Sequence, residues 1–135
     1  MCFHLLFADG ASRGNPGPAG IGVLLCDPDG NAVAEVAEHI GIVTSNVAEY
    51  KALIRGLEEA LFRGITRLNV CLDSQLLVRQ LNGQYKVRAP HLAKLHRRVM
   101  HLIRQFEQVE VHHLPRGANL RADRLASKAA VSRKP

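Results

Sequence analysis

The chain lacks any apolar run approaching the ~20 residues that span a bilayer, so a membrane partner is not expected. It also lacks the layout of a signal peptide, because the first strand-like run contains His4 and then Asp9, and a cytoplasmic location follows as the expectation. Cysteine is scarce. Cys2, Cys26 and Cys71 are odd in number and match no zinc spacing, which leaves reduced, structural thiols. Repeats, linkers and low-complexity segments are missing. Acids are the scarcer charge: 18 Lys and Arg against 12 Asp and Glu give a net charge of +6. The resulting pI near 9.7 is what a phosphate-binding surface needs, although a charge excess also serves solubility and decides nothing alone. A length of 135 residues suits one domain over 1–135, ordered from about residue 2 to 131 with a short fraying tail.

Cys2 to Ala8 is almost continuously apolar, which predicts a central strand buried on both faces and ending at Asp9-Gly10. After the turn-rich segment Gly10 to Pro18, Gly20 to Cys26 reads as a second strand. Asp27-Pro28-Asp29-Gly30 is a turn that returns Asn31 to His39 antiparallel. Thr44-Ser45-Asn46 supplies capping side chains for a helix of about four turns, in which Leu53, Gly56, Leu57, Ala60 and Leu61 recur at helical spacing to Arg63-Gly64. Leu68 to Leu72 is a short strand ending on Asp73, followed by a helix of about two turns to Asn82-Gly83. A helix from about Ala89 to Phe106, a strand from Val109 to Leu114, a loop from Pro115 to Asn119 and a closing helix complete the pattern. Its order implies an α/β fold, a five-stranded mixed sheet flanked by helices.

Asp9 and Asp73 are the first acids after the two most apolar strands, and ligands of open α/β sheets meet the carboxyl ends of parallel strands. If those strands are neighbours, the two carboxylates converge. Glu49 shares the stripe of Leu53, Gly56, Leu57 and Ala60, and Asp123 lies at the margin of the last helix's buried face. Taken singly, each acid has an ordinary use: Asp73 as a helix cap, Glu49 as a dipole partner on the surface, Asp123 in ion pairs with Arg121 and Arg124. Together they come from four elements and can point at one place. Clustered carboxylates repel unless neutralised, and oxygen-only ligands without a Cys or His pair favour Mg²⁺, with Mn²⁺ as a substitute. Two such ions about 3.5–4 Å apart can drive in-line phosphodiester hydrolysis, leaving 5′-phosphate and 3′-hydroxyl ends.

Phe7-Ala8-Asp9-Gly10-Ala11-Ser12-Arg13-Gly14-Asn15-Pro16-Gly17-Pro18-Ala19-Gly20 strongly resembles the opening of type 1 ribonucleases H. Thr44 to Glu49 is similar to the family's second acidic motif, Asp73-Ser74-Gln75 to its third, and Asn119 to Ala126 to its fourth, so the resemblance spans residues 3 to 130 in family order. It implies a metal-dependent endoribonuclease that cuts the RNA strand of RNA–DNA hybrids, with double-stranded RNA as a further candidate partner and a monomeric state. The alternative is a module of the same fold that binds hybrid or double-stranded RNA without cutting; a resolvase- or integrase-like DNA nuclease is poorly served by the Gly10 to Gly20 loop.

By the same resemblance Asp9, Glu49, Asp73 and Asp123, with the Gly10 backbone, are the metal ligands. Asn15, Asn46 and Gln75 touch sugars and bases, Thr44 with Asn15 forms a pocket for a DNA-strand phosphate, and Ser12, Arg13, Gly14 and Asn119 complete the substrate contacts. A Gly-rich loop suits a partner recognised by 2′-hydroxyls in a minor groove. Two departures stand out. Leu81 to Pro90 leaves no room for the basic protruding helix of many members, and no separate N-terminal hybrid-binding domain is expected, as in the short bacterial and archaeal forms. Where many relatives place a mobile histidine before the last acid, this chain has Arg116, which is expected to take that catalytic role, with His113 as the other candidate.

Overall fold

The computed structural model describes residues 2–131; Met1 and 132–135 lie outside the described residues, and with them the expected tail. Strands β1 (His4–Ser12), β2 (Gly17–Cys26) and β3 (Ala32–Val43) form the opening meander. Helix α1 (Ser45–Phe62), strand β4 (Arg67–Leu72), helices α2 (Gln75–Leu81) and α3 (Pro90–Ile103), strand β5 (Gln108–His113), a 3₁₀ turn over Arg116–Ala118 and helix α4 (Leu120–Val131) follow. The sheet order is β3-β2-β1-β4-β5. β1 pairs antiparallel with β2 and parallel with β4, so the strand that carries Asp9 is the neighbour of the strand that leads into Asp73.

Several strand bounds differ from the sequence-based expectation: β2 starts at Gly17 rather than Gly20, β5 is displaced by one residue, and the first and third strands run on furthest. β1 does not stop at Asp9 but continues to Ser12, pairing Gly10 with Ile21 and Ser12 with Ala19. β3 likewise runs on to Val43, past His39, through a bulge and Gly41 at φ 82°. Nor is β1 buried evenly: Leu6, Ala8 and Asp9 are buried while its other residues are half-covered.

The glycines in this region serve close approach rather than turning. Along β2, Ile21, Val23 and Leu25 enter the core shared with Leu53 and Leu57 of α1. On the alternate positions Gly20 and Gly22 meet α4, where an added Cβ would stand 2.4 Å from the Ala130 nitrogen and 2.2 Å from the Ala122 carbonyl oxygen respectively. Helix α4 therefore rests on the sheet backbone to backbone through Ala122, Ala126, Ala129 and Ala130, all buried. On the other face, α1 and α3 cover the sheet with Leu6, Leu68, Val70, Val99 and Leu102, each at most 3% exposed. Between α2 and α3 only residues 82–89 intervene, and they form no helix, as expected from the missing protrusion.

Candidate functional site

Asp9 sits inside β1 opposite Gly22, 7% exposed, with its Oδ1 accepting from the Gly10 N–H at 3.0 Å. The side chain has the α4 face of the strand, because Gly22 beside it leaves the space that α4 fills. Asp73 follows the last residue of β4. It is not the cap of α2, since Ser74 holds that place with Oγ accepting from the Leu77 N–H at 3.2 Å. Asp123 lies in the first turn of α4 and does not pair with its flanking arginines: Arg121 turns to Glu35 of β3 at 2.5 Å, and Arg124 is exposed. Glu49 stands in α1 where that helix crosses Gly10. The ordinary uses of Asp73 and Asp123 are thus already excluded by geometry.

The four acids act on one another. Burial, then the charge of Asp73, a hydrogen bond shared with the Asp123 carboxyl, and the charges of Asp123 and Glu49 push the Asp9 carboxyl up from 3.8 to about 8. Asp9, Glu49 and Asp73 line a common cleft with Ala8, Leu72, Ser74 and Leu77. Among the described residues, no three His, Cys, Asp or Glu side chains form a closed metal-binding group as they stand. The donor chemistry nevertheless fits a divalent cation: oxygen ligands only, from four elements, with a mutual repulsion that a proton on Asp9 now relieves and that a cation would relieve more fully.

The remaining expected residues divide. Asn15 and Thr44 come together at the start of α1: Asn15 Oδ1 accepts from the Ser45 N–H at 3.1 Å and Thr44 Oγ1 from the Val47 N–H at 3.3 Å. That leaves the Asn15 amide nitrogen and the positive end of α1 facing outward. Asn46 and Gln75 are exposed at the first turns of α1 and α2, and Arg13 and Gly14 are exposed in the loop. Ser12 is turned inward instead, its hydroxyl against the carbonyls of Gly14 and of Val43, the latter at 2.9 Å, where it ties the loop to β3.

Asn119, the remaining expected substrate contact, is buried. It is 2% exposed, and its Nδ2 donates to the carbonyl of Ala8 at 3.2 Å, so it pins the residue before Asp9 from the start of α4. Its Oδ1 is buried without a hydrogen-bond partner in the structure. The Arg116 side chain lies outside the described residues. His113 is exposed at the end of β5, in register with Leu72, the neighbour of Asp73. Sequence reasoning did not single out the buried hydrogen bond from Tyr50 Oη to Gln80 Oε1 at 2.7 Å, which joins the helix of Glu49 to the helix after Asp73. A tyrosine beside an acid at a helix start, and a glutamine between buried Val78 and Leu81, were the available signals.

A sheet of this order with clustered acids at the carboxyl ends of its central parallel strands is the ribonuclease H fold, and comparisons with known proteins agree. The family model described as reverse transcriptase-like matches residues 7–129, and the chain belongs to that family. It is 44% identical to ribonuclease HI of Halobacterium salinarum over 126 residues, covering 93% of this chain and 63% of that protein. It is 46% identical over 123 residues to the bifunctional protein Rv2228c of Mycobacterium tuberculosis, covering 90% of this chain but 34% of that one. The chain thus spans about a third of the mycobacterial relative's length. The solved N-terminal RNase H domain of Rv2228c superposes with a TM-score of 0.93 at 43% identity, covering 96% of this chain and 94% of that one. LC11-RNase H1, solved in complex with an RNA/DNA hybrid, gives 0.90 at 41% identity, covering 94% and 96%.

Proposed function

We propose that this chain is an endoribonuclease that hydrolyses the RNA strand of RNA–DNA hybrids, leaving 5′-phosphate and 3′-hydroxyl ends, as a cytoplasmic monomer. The observation that carries the reading is the convergence of acids from four elements: Asp9, Glu49 and Asp73 line one cleft, and Asp123 reaches the Asp9 carboxyl from α4, an arrangement a fold does not need for stability. Asp9, Glu49, Asp73 and Asp123, with the Gly10 backbone, would hold divalent metal. When bound, Mg²⁺, as two ions per site with substrate and with Mn²⁺ as substitute, would activate the attacking water and neutralise charge on the leaving oxygen.

The chain's own groups do the rest. Asn119 fixes the β1 carbonyl next to Asp9, and Gly10 lets α1 bring Glu49 against that strand. The exposed turn Arg13 to Pro16 would offer backbone to a minor groove, while Asn46 and Gln75, exposed at the starts of α1 and α2, would touch sugars and bases. Thr44, Asn15 and the positive end of α1 suit a phosphate of the DNA strand. Arg116 is assigned to the scissile phosphate from sequence alone.

Incubation of end-labelled hybrid, duplex DNA and double-stranded RNA with Mg²⁺ tests the reading. Cleavage of the hybrid's RNA strand is expected. Tight hybrid binding with no cleavage in Mg²⁺ or Mn²⁺ would instead make the chain a binding module.

A further inference from the structure

Helix α3 is divided lengthwise. Leu92, Leu95, Val99, Leu102 and Ile103 face the core, and the outer half carries Lys94, Arg97, Arg98 and, at the C-cap, Arg104, with His91 ahead of this row and His101 within it. No acid occurs anywhere in the helix. An ordinary solvated face mixes signs, as α1 does, where Glu59 pairs with both Arg55 and Arg63. On α3, among the described residues, Arg98 has an ion pair, with Glu58 at 3.1 Å, and Lys94, Arg97 and Arg104 have none. The helix dipole does not account for the pattern either. It favours cations at the C-terminal end, which suits Arg104, but disfavours Lys94 and His91 near the N-terminus, where there is neither a first-turn acid nor a side-chain cap.

The direction of the ridge follows from topology. β5 is parallel to β4 and begins beside Arg67, so the chain through α3 must descend from the carboxyl end of the sheet, where the acids gather, to its amino end. The outer row therefore runs away from the candidate site for the length of a 14-residue helix, about 21 Å. Its upper end continues from exposed Lys86 and Arg88.

We infer that the outer face of α3 is a second phosphate-backbone contact surface, gripping the nucleic acid duplex beyond the segment held at the acidic site. A polyanion of regular spacing fits a one-signed row of cations, and the strand separation of charges, 3.4 Å per nucleotide along a duplex, places about six base pairs along it. This rests on the hybrid-nuclease proposal for the identity of the duplex.

The test is the combined variant Lys94→Glu, Arg97→Glu, Arg104→Glu, which leaves the Arg98–Glu58 pair in place and changes only exposed side chains. Binding is measured by anisotropy in chelator, so that nothing is cut, with hybrids of about 8 and about 24 base pairs across a salt series. The long hybrid should bind the variant at least about tenfold more weakly, with a log–log salt slope shallower by about 2.7 for three lost phosphate contacts. The short hybrid should bind as it does to the parent. Parent-like affinity and slope on the long hybrid, or equal weakening at both lengths, would overturn the inference. Cleavage of the short hybrid by the parent reports separately on the nuclease reading, and its failure would leave the affinity comparison standing. The neutral variant Lys94→Gln, Arg97→Gln, Arg104→Gln should show a smaller loss in the same direction, and checks the result should charge reversal harm folding.

Discussion

A Cβ on Gly10 would lie 2.4 Å from the backbone nitrogen of Glu49 and 2.3 Å from the carbonyl carbon of Ala48. The strand of Asp9 and the helix of Glu49 therefore touch main chain to main chain, and no side-chain rotation can relieve an added methyl. Gly10→Ala should cost about 1–3 kcal/mol, as overpacking does, and should lower turnover further by displacing Glu49. Chemical denaturation and hybrid cleavage would check it; an alanine variant with parent stability and rate contradicts the packing account.

Asp9→Asn and Asp73→Asn should each abolish hybrid cleavage while retaining the fold. Neither residue belongs to the apolar core; Asp73→Asn removes one charge from a repelling set, and Asp9→Asn puts a neutral amide of the same shape where the metal-free carboxyl keeps its proton to about 8. Rates are to be measured in metal-stripped buffer with Mg²⁺ restored. A near-parental rate for either variant removes that carboxylate from the site.

Without metal, Asp9 makes folding depend on pH. The folded chain keeps this proton to about 8, whereas the unfolded chain loses it near 3.8, so the folded state holds the extra proton between those values. Stability should then decline as pH rises from about 4 to about 8. Glu59 works in the opposite sense at the acid end, because hydrogen bonds from Arg63 and Arg55 hold its pKa low. Thermal melts in chelator should show the decline, Asp9→Asn should flatten it, and added Mg²⁺ should offset it. A metal-free protein equally stable from pH 5 to 8 would count against the coupling.

Binding of a short hybrid should weaken steeply with salt, with Arg13, Lys86, Arg88 and Arg116 as the contributors. The first three are exposed, and a chain without a basic protrusion has to neutralise phosphates from dispersed positions. A flat affinity between low and physiological ionic strength would refute this.

Arg116→Ala should cost turnover more than metal affinity, because a guanidinium pairs with phosphate but is a poor proton acceptor. His113→Gln should cost less, since His113 ends β5 rather than occupying the loop. The pH–rate profile should accordingly show no essential group titrating between about 6 and 7. Loss of turnover in His113→Gln at parent stability, with Arg116→Ala neutral, reverses the assignment.

The acids were legible in the sequence because each sits where a hydrophobic period ends or turns: Asp9 and Asp73 after apolar strands, Glu49 in the phase of Leu53 and Leu57. The continuation of β1 to Ser12 was hidden by Gly10 and Ser12, which look like turn residues. Their size is set by α1 and β3, elements 30 or more residues away, and local sequence carries no such information. The bond from Asn119 to the Ala8 carbonyl was hidden for the same reason, since the two residues are 111 positions apart. The bond between Tyr50 and Gln80 is likewise tertiary. Burial pushes the Tyr50 hydroxyl up to about 12, so it remains a donor throughout the working pH range.

The seat of α4 on Gly20 and Gly22 sets a tolerance. Interfaces lined by long side chains absorb change by rotamer adjustment, but here backbone faces backbone, and the compliance is that of bond angles and hydrogen bonds. The lateral position of Asp123 relative to Asp9 is therefore held as stiffly as the sheet itself. Genetic variation at these two glycines should be nearly binary in outcome, with few partially active alleles between the parent and complete loss.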